Sequence, residues 1–165
     1  MEIEKKYLIK KKRKTYPSLF EIKNLEKEII QKGNPIIQDY LPIKLIPSNL
    51  KNKINFKPNE MRLRKTKNKY FLTIKSKGKL AREEFEIKIK KEFYEKYKKL
   101  KQKTLYKIRL IQKYKNKILE FDYYPNYDMI TMEIEFKSIS EANKFHIKGK
   151  EITKRKKYKS RNLAK

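Results

Sequence analysis

Residues 129–137 read MITMEIEFK, and the alternation in that stretch decides how the chain folds. In an extended segment successive side chains face opposite sides of a sheet, so Met132, Ile134 and Phe136 share one side and Glu133 and Glu135 the other. The first nine residues, MEIEKKYLI, repeat the arrangement with Ile3 set against Glu2 and Glu4. Six further segments keep the same period of two: IIQDYLPI (36–43), EMRLRKT (60–66), YFLTIKSK (70–77), AREEFEIKI (81–89), LYKIRLIQKY (105–114) and KILEFDYY (117–124). Short turns at Lys67-Asn68 and Tyr114-Lys115-Asn116 make neighbours of consecutive strands, which predicts an eight-stranded antiparallel meander.

Sorting the eight strands by parity separates two faces. One holds Ile3, Met61, Leu63, Leu72, Ile74, Phe85, Ile87, Ile108, Leu110, Leu119, Phe121, Met132, Ile134 and Phe136. The other holds Glu2, Glu4, Lys6, Arg62, Arg64, Lys75, Arg82, Glu84, Glu86, Lys107, Arg109, Glu120, Asp122, Glu133 and Glu135. That polar face carries eight acids against seven bases in a chain whose net charge is +28. A solvent-facing side drawn from this composition would be mostly lysine, so the balance marks an interior surface. If the strands close on themselves, the apolar parity lies outside beneath helices and the charged parity lines a channel. The expected class is therefore α+β, a closed antiparallel barrel with helices packed outside.

Three helices interrupt the strands. Ser18 with Glu21 forms a capping box ahead of Ile22, Leu25 and Ile29, and Gly33-Asn34-Pro35 ends that helix. Phe93, Tyr97 and Leu100 give a second stripe; Ser138 and Glu141 cap a third helix that carries Ala142, Phe145 and His146. Residues 44–59, with Pro47 and Pro58, read as a long loop. At 165 residues the chain is expected to form one domain spanning 1–165.

Composition narrows the chemistry. There is no cysteine and one histidine, which rules out disulfides and thiolate metal sites and leaves no plausible zinc site. No apolar run reaches the ~18–20 residues of a membrane helix, and the start MEIEK lacks a signal-peptide pattern, so a cytoplasmic location without membrane contact is expected. Lysine supplies 40 of the 47 basic residues, as a drifting AT-rich coding bias would produce. The surface charge by itself predicts only loose, nonspecific nucleic-acid binding. The seven arginines say more, because four of them, Arg62, Arg64, Arg82 and Arg109, fall on the charged parity. A guanidinium grips phosphate through two hydrogen bonds, which a lysine does not reproduce. Paired carboxylates without sulfur or imidazole form a hard oxygen site suited to Mg²⁺ or Mn²⁺. Such a site facing a cationic wall is the layout for phosphoryl transfer.

At these residues the chain resembles the CYTH superfamily of triphosphate tunnel metalloenzymes. The N-terminal E-x-E-x-K is met by Glu2, Glu4 and Lys6, and R-x-R by Arg62 and Arg64. L-T-I-K ends at Lys75, R-x-E-x-E falls on Arg82, Glu84 and Glu86, and K-x-R on Lys107 and Arg109; an acid stands at Asp122, and E-x-E-F is Glu133, Glu135 and Phe136. The tail GKEITKRKKYKSRNLAK also resembles the family's closing segment, with Glu151, Thr153, Tyr158 and Leu163 at matching spacings. The resemblance implies a tunnel enzyme whose metals are held by Glu2, Glu4, Glu133 and Glu135. It implies that Glu84, Glu86 and Asp122 assist or order water, that Lys6 serves both catalysis and phosphate, and that Arg62, Arg64, Lys75, Lys107 and Arg109 bind phosphates. Arg82 belongs to that phosphate set or pairs with a neighbouring glutamate. The implied activity is hydrolysis of a small triphosphate, inorganic tripolyphosphate first. An adenylyl cyclase, a thiamine triphosphatase, an RNA 5′-triphosphatase and a non-enzymatic polyphosphate or RNA binder stay open, as do oligomeric state and preferred metal.

Overall fold

The computed structural model describes residues 1–17 and 24–165. The capping box at Ser18 and Glu21, and Ile22 with it, lie outside the described residues. All eight predicted strands form. In chain order they are β1 (Glu2–Lys11), β3 (Asn34–Leu41), β4 (Glu60–Thr66), β5 (Lys69–Lys75), the pair β6 (Ala81–Arg82) and β7 (Glu84–Ile89), β8 (Lys103–Tyr114), β9 (Lys117–Tyr124) and β10 (Met129–Glu135). Two short strands, β2 (Lys14–Thr15) and β11 (Lys150–Glu151), add to the edge of β1.

Every pairing is antiparallel, and the sheet runs β11-β1-β10-β9-β8-β3-β4-β5-β7, with β2 and β6 also on β1. Among the described residues no continuous hydrogen-bonded ladder closes the sheet, and the expected meander is corrected, since β3 pairs with β8 and β1 with β10. The segment 81–89 breaks at Glu83. Its first part pairs with β1, Arg82 opposite Glu2, while its second pairs with β5, Lys75 opposite Glu84.

The described α-helices are α1 (Leu25–Lys32), α2 (Ser48–Lys51), α3 (Lys91–Lys98), α4 (Ile139–Lys144) and α5 (Ser160–Leu163). Leu25 and Ile29 of α1 and Ala142 of α4 pack on an apolar cluster with Ile3, Leu119, Phe121, Met132, Ile134 and Phe136. Ser138 caps α4 as predicted, accepting the Glu141 N–H at 3.1 Å. His146 falls beyond the end of α4 and is exposed. In α3 the buried ring is Tyr94, which donates to buried Asp39 at 2.9 Å; Phe93 and Tyr97 stack beside it 4.2 Å apart, and Leu100 lies outside the helix, half exposed. The stretch read as a loop contains α2, and buries Ile46 and Leu50 against Leu41, Met61 and Ile74.

A third cluster departs from simple parity. Leu8, Tyr40, Leu105, Tyr124 and Met129 stand on the otherwise charged side of their strands. They are buried with Ile152, Tyr158, Leu163 and Ala164 of the C-terminal segment. That segment is held to β1 by Ile152 N–H to the Lys6 carbonyl at 2.7 Å, and to β8 by paired Thr104 and Lys165 backbone bonds. One end of the charged interior is thus plugged by apolar side chains, because the tail supplies the partners that bury them.

The three two-residue hairpin loops each begin with a lysine in the left-handed region: Lys12 (φ 53°), Lys67 (φ 50°) and Lys115 (φ 52°). A side chain with a Cβ is strained there by ~1–2 kcal/mol, and glycine is not. Lys115→Gly is expected to stabilise the fold by up to about 1 kcal/mol, less than the strain because glycine also loosens the unfolded chain. Chemical denaturation measures it, and a lowered midpoint would contradict it.

Candidate active site

Strand alternation places the charged parity around one cavity of about 250 Å³. β1 contributes Glu2, Glu4 and Lys6; β4 contributes Arg62 and Arg64; β5 and β6 contribute Lys75 and Arg82. Glu84 comes from β7, Lys107 and Arg109 from β8, Glu120 from β9, and Glu133 and Glu135 from β10. Thirteen of the fifteen residues on the predicted face therefore line it. The other two, Glu86 and Asp122, do not line it. Glu86 receives Arg64 at 2.7 Å and Thr73 at 2.7 Å. Asp122 is fully buried and holds Lys107 at 2.6 Å and Arg109 through two bonds of 2.6 Å.

The walls are a network of ion pairs. Lys75 binds Glu2 at 2.8 Å and Glu84 at 2.6 Å, and Arg82 binds Glu2 at 2.8 Å and Glu4 at 3.3 Å. Arg82 thus follows the glutamate-pairing alternative raised by its position in the sequence. Lys6 reaches Glu133 at 2.8 Å and the Tyr124 hydroxyl at 3.2 Å. Arg109 bridges Asp122, Glu133 at 2.8 Å, and Glu120. Burial opposes ionisation of Glu133, yet Lys6, Lys107 and Arg109 outweigh it and hold its carboxyl well below the usual range. Burial depresses the Lys107 ammonium, and Arg109 beside it adds to the effect.

Glu4 behaves differently. Burial first, then the charges of Glu133 and Glu2, push its carboxyl up to about 7 against the weaker pull of Arg82 and Lys75. Glu135 stands directly opposite it in the β1–β10 register, exposed and without an ion pair among the described residues. Negative charge is locally in excess there, and the donors are all oxygen, which fits Mg²⁺ or Mn²⁺. The side chains as they stand are engaged with cations, and no three acids among the described residues converge on a point that could hold a metal ion. On the opposite wall, Nε of Arg62 and Nε of Arg64 are buried without a hydrogen-bond partner among the described residues. Arg62 and Arg64 both line the cavity, and guanidinium groups in such a wall suit an anion.

Several lining residues were not singled out from sequence. Glu60 and Gln38 share the charged parity of their strands, so the signal was present in EMRLRKT and IIQDYLPI. Lys79, Arg155 and Lys159 come from irregular segments and Arg161 from the short α5, none of them marked by strand periodicity. Lys159 is anchored on the Gly78 carbonyl at 2.5 Å and Arg161 on the Asn59 carbonyl at 2.8 Å, contacts visible only once the tail has docked.

The antiparallel sheet and its acid-and-arginine interior agree with the fold that the strand motifs' resemblance to the CYTH superfamily implies. Solved structures agree. Two crystal structures of the protein NE1496 match 99% of this chain with a TM-score of 0.56. One, of NE1496 as a hypothetical protein, is 25% identical and is covered over 97% of its length; the other, described as an inorganic triphosphatase, is 24% identical and covered over 94%. A putative adenylate cyclase from Bacillus halodurans matches 87% of the chain, and 84% of its own, at 17% identity and a TM-score of 0.55. No protein-family model matches the chain, and no curated protein matches it.

Proposed function

We propose that this chain is a divalent-metal-dependent hydrolase of a small triphosphate, with inorganic tripolyphosphate as the first candidate. The observation that carries the reading is the cavity itself, where carboxylates of β1 and β10 and the arginines of β4 line a space of about 250 Å³. That volume is at the small end of ligand cavities and suits a phosphate chain better than a nucleoside triphosphate. The inorganic triphosphatase among the structural neighbours supports the choice. The putative adenylate cyclase neighbour keeps cyclisation of ATP as the second reading, which the cavity's size disfavours.

In this reading the chain is one domain whose sheet encloses a tunnel, with the bend at Glu83 spanning the two sheet edges. Glu2, Glu4, Glu133 and Glu135 would hold Mg²⁺ or Mn²⁺, which would neutralise phosphate charge and lower the pKa of a bound water. Arg62, Arg64 and Lys107 bind phosphate oxygens and Lys6 reaches the reacting end; Lys75, Arg82 and Arg109 combine phosphate contact with holding the glutamates. Glu84 and Glu86 order water. Asp122 acts as a positioning residue that fixes Lys107 and Arg109. Water adds to the terminal phosphorus, the bridging P–O bond breaks, and phosphate and pyrophosphate leave.

The test is phosphate release from tripolyphosphate, thiamine triphosphate, ATP and triphosphorylated RNA, each with Mg²⁺, Mn²⁺ or a chelator. Tripolyphosphate should be the best substrate and the chelator should stop turnover. Pyrophosphate and cyclic AMP formed from ATP would instead establish the cyclase. Arg64→Ala should weaken turnover at least tenfold, since a charge-assisted phosphate contact contributes ~1.5–3 kcal/mol. Equal losses on neutralising Lys154, Lys156 and Lys157 would mean that diffuse charge, and not the cavity, binds substrate.

A further inference from the structure

Three tyrosines, Tyr16, Tyr127 and Tyr158, pack on the apolar cluster that plugs the cavity, and each ring carries ammonium groups. Lys150 lies 4.2 Å and Lys14 5.4 Å from the centre of Tyr16. Lys11 lies 5.6 Å and Lys157 5.2 Å from Tyr158, and Lys165 lies 4.9 Å from Tyr127. Residues far apart in sequence meet here because β11 and β2 follow one another along one edge of β1, opposite Tyr7–Leu8 and Lys10–Lys11. Lys12 and Arg13, exposed at the β1–β2 turn, extend the row. Among the described residues none of these cations has a carboxylate partner. The acids of this region, Glu26, Asp128 and Glu151, are bound by Lys10 and Lys5.

We propose that this face docks single-stranded RNA. A row of unpaired lysines matches a phosphodiester backbone. Tyr16 and Tyr127 are half-buried, so an edge of each ring is open to a base once its lysines turn to phosphates. A lipid surface fits less well, because Ile3, Leu8 and Ile9 of β1 are all buried and no Leu, Ile or Phe on β1, β2 or β11 is free to insert between acyl chains.

The experiment is fluorescence anisotropy with a short 5′-hydroxyl oligouridylate, which lacks the triphosphate that the cavity would bind. Lys11→Gln, Lys14→Gln, Lys150→Gln and Lys157→Gln are combined in one variant. A second combines Lys67→Gln, Lys69→Gln, Lys90→Gln and Lys99→Gln, exposed positions near the β4–β5 turn and the ends of α3, with the same change in net charge. The first should bind at least about tenfold more weakly, with a salt slope reduced by about 3 at roughly 0.7 per neutralised contact. The second should stay within about twofold at the same salt, and tripolyphosphate hydrolysis should be unchanged in both. Equal losses in the two variants overturn the proposal. So does equally tight binding of duplex RNA, or stronger retention on phosphatidylserine vesicles than on the oligonucleotide.

Discussion

Glu4→Gln is expected to lower tripolyphosphate hydrolysis by at least about a hundredfold at saturating Mg²⁺ or Mn²⁺, the scale seen when one group that stabilises transition-state charge is removed. The substitution keeps the side chain's shape and removes its charge. In the folded protein Glu4 is the cavity carboxyl pushed up to about 7, because burial, Glu133 and Glu2 all oppose its ionisation. A group so placed contributes little to stability as an anion, so Glu4→Gln should melt at or above the wild-type temperature. Loss of turnover together with an intact fold separates a working carboxylate from a structural one. Glu133→Gln should also lose turnover but be less stable, since Lys6 at 2.8 Å and Arg109 at 2.8 Å would lose a shared counter-charge. Near-normal activity in Glu4→Gln at saturating metal would show that metal is not bound where we place it.

Asp122→Leu is expected to cost the fold about 3–5 kcal/mol, the range for removing one side of a buried ion pair. Asp122 is fully buried and neutralises both Lys107 and Arg109. Without it two cations remain side by side in the cavity wall. For a chain of this size the melting temperature should fall by roughly 10 °C. Activity should fall with it, since the two cations would no longer be held in place. A variant that melted with the wild type would show that water already reaches Lys107 and Arg109, and the positioning role would fail.

The periodic elements were legible from single strands. Alternation in MITMEIEFK and its seven companions predicted every strand but the short β2 and β11, and the same parity placed thirteen of fifteen charged residues at one cavity. Glu60 and Gln38 could have been found by the same rule. Burial in α3 was less readable, because Tyr94 goes inside to meet Asp39 from a strand more than fifty residues away, and no local pattern encodes that partner.

What the sequence determined by itself is the side of the sheet on which each residue lies, since that depends only on the two-residue period of an extended backbone. Which carboxylate meets which cation was decided by tertiary structure. Register brings Glu4 opposite Glu135 and Arg82 opposite Glu2, and the break at Glu83 sends one segment to both edges of the sheet. The plugged end was equally out of reach. Leu8, Leu105 and Met129 occupy the charged parity, and only the docked tail, with Ile152, Tyr158 and Leu163, removes them from water. Alternation is a property of neighbours along the chain, whereas charge neutralisation and burial depend on distances between residues that the chain brings together only when folded.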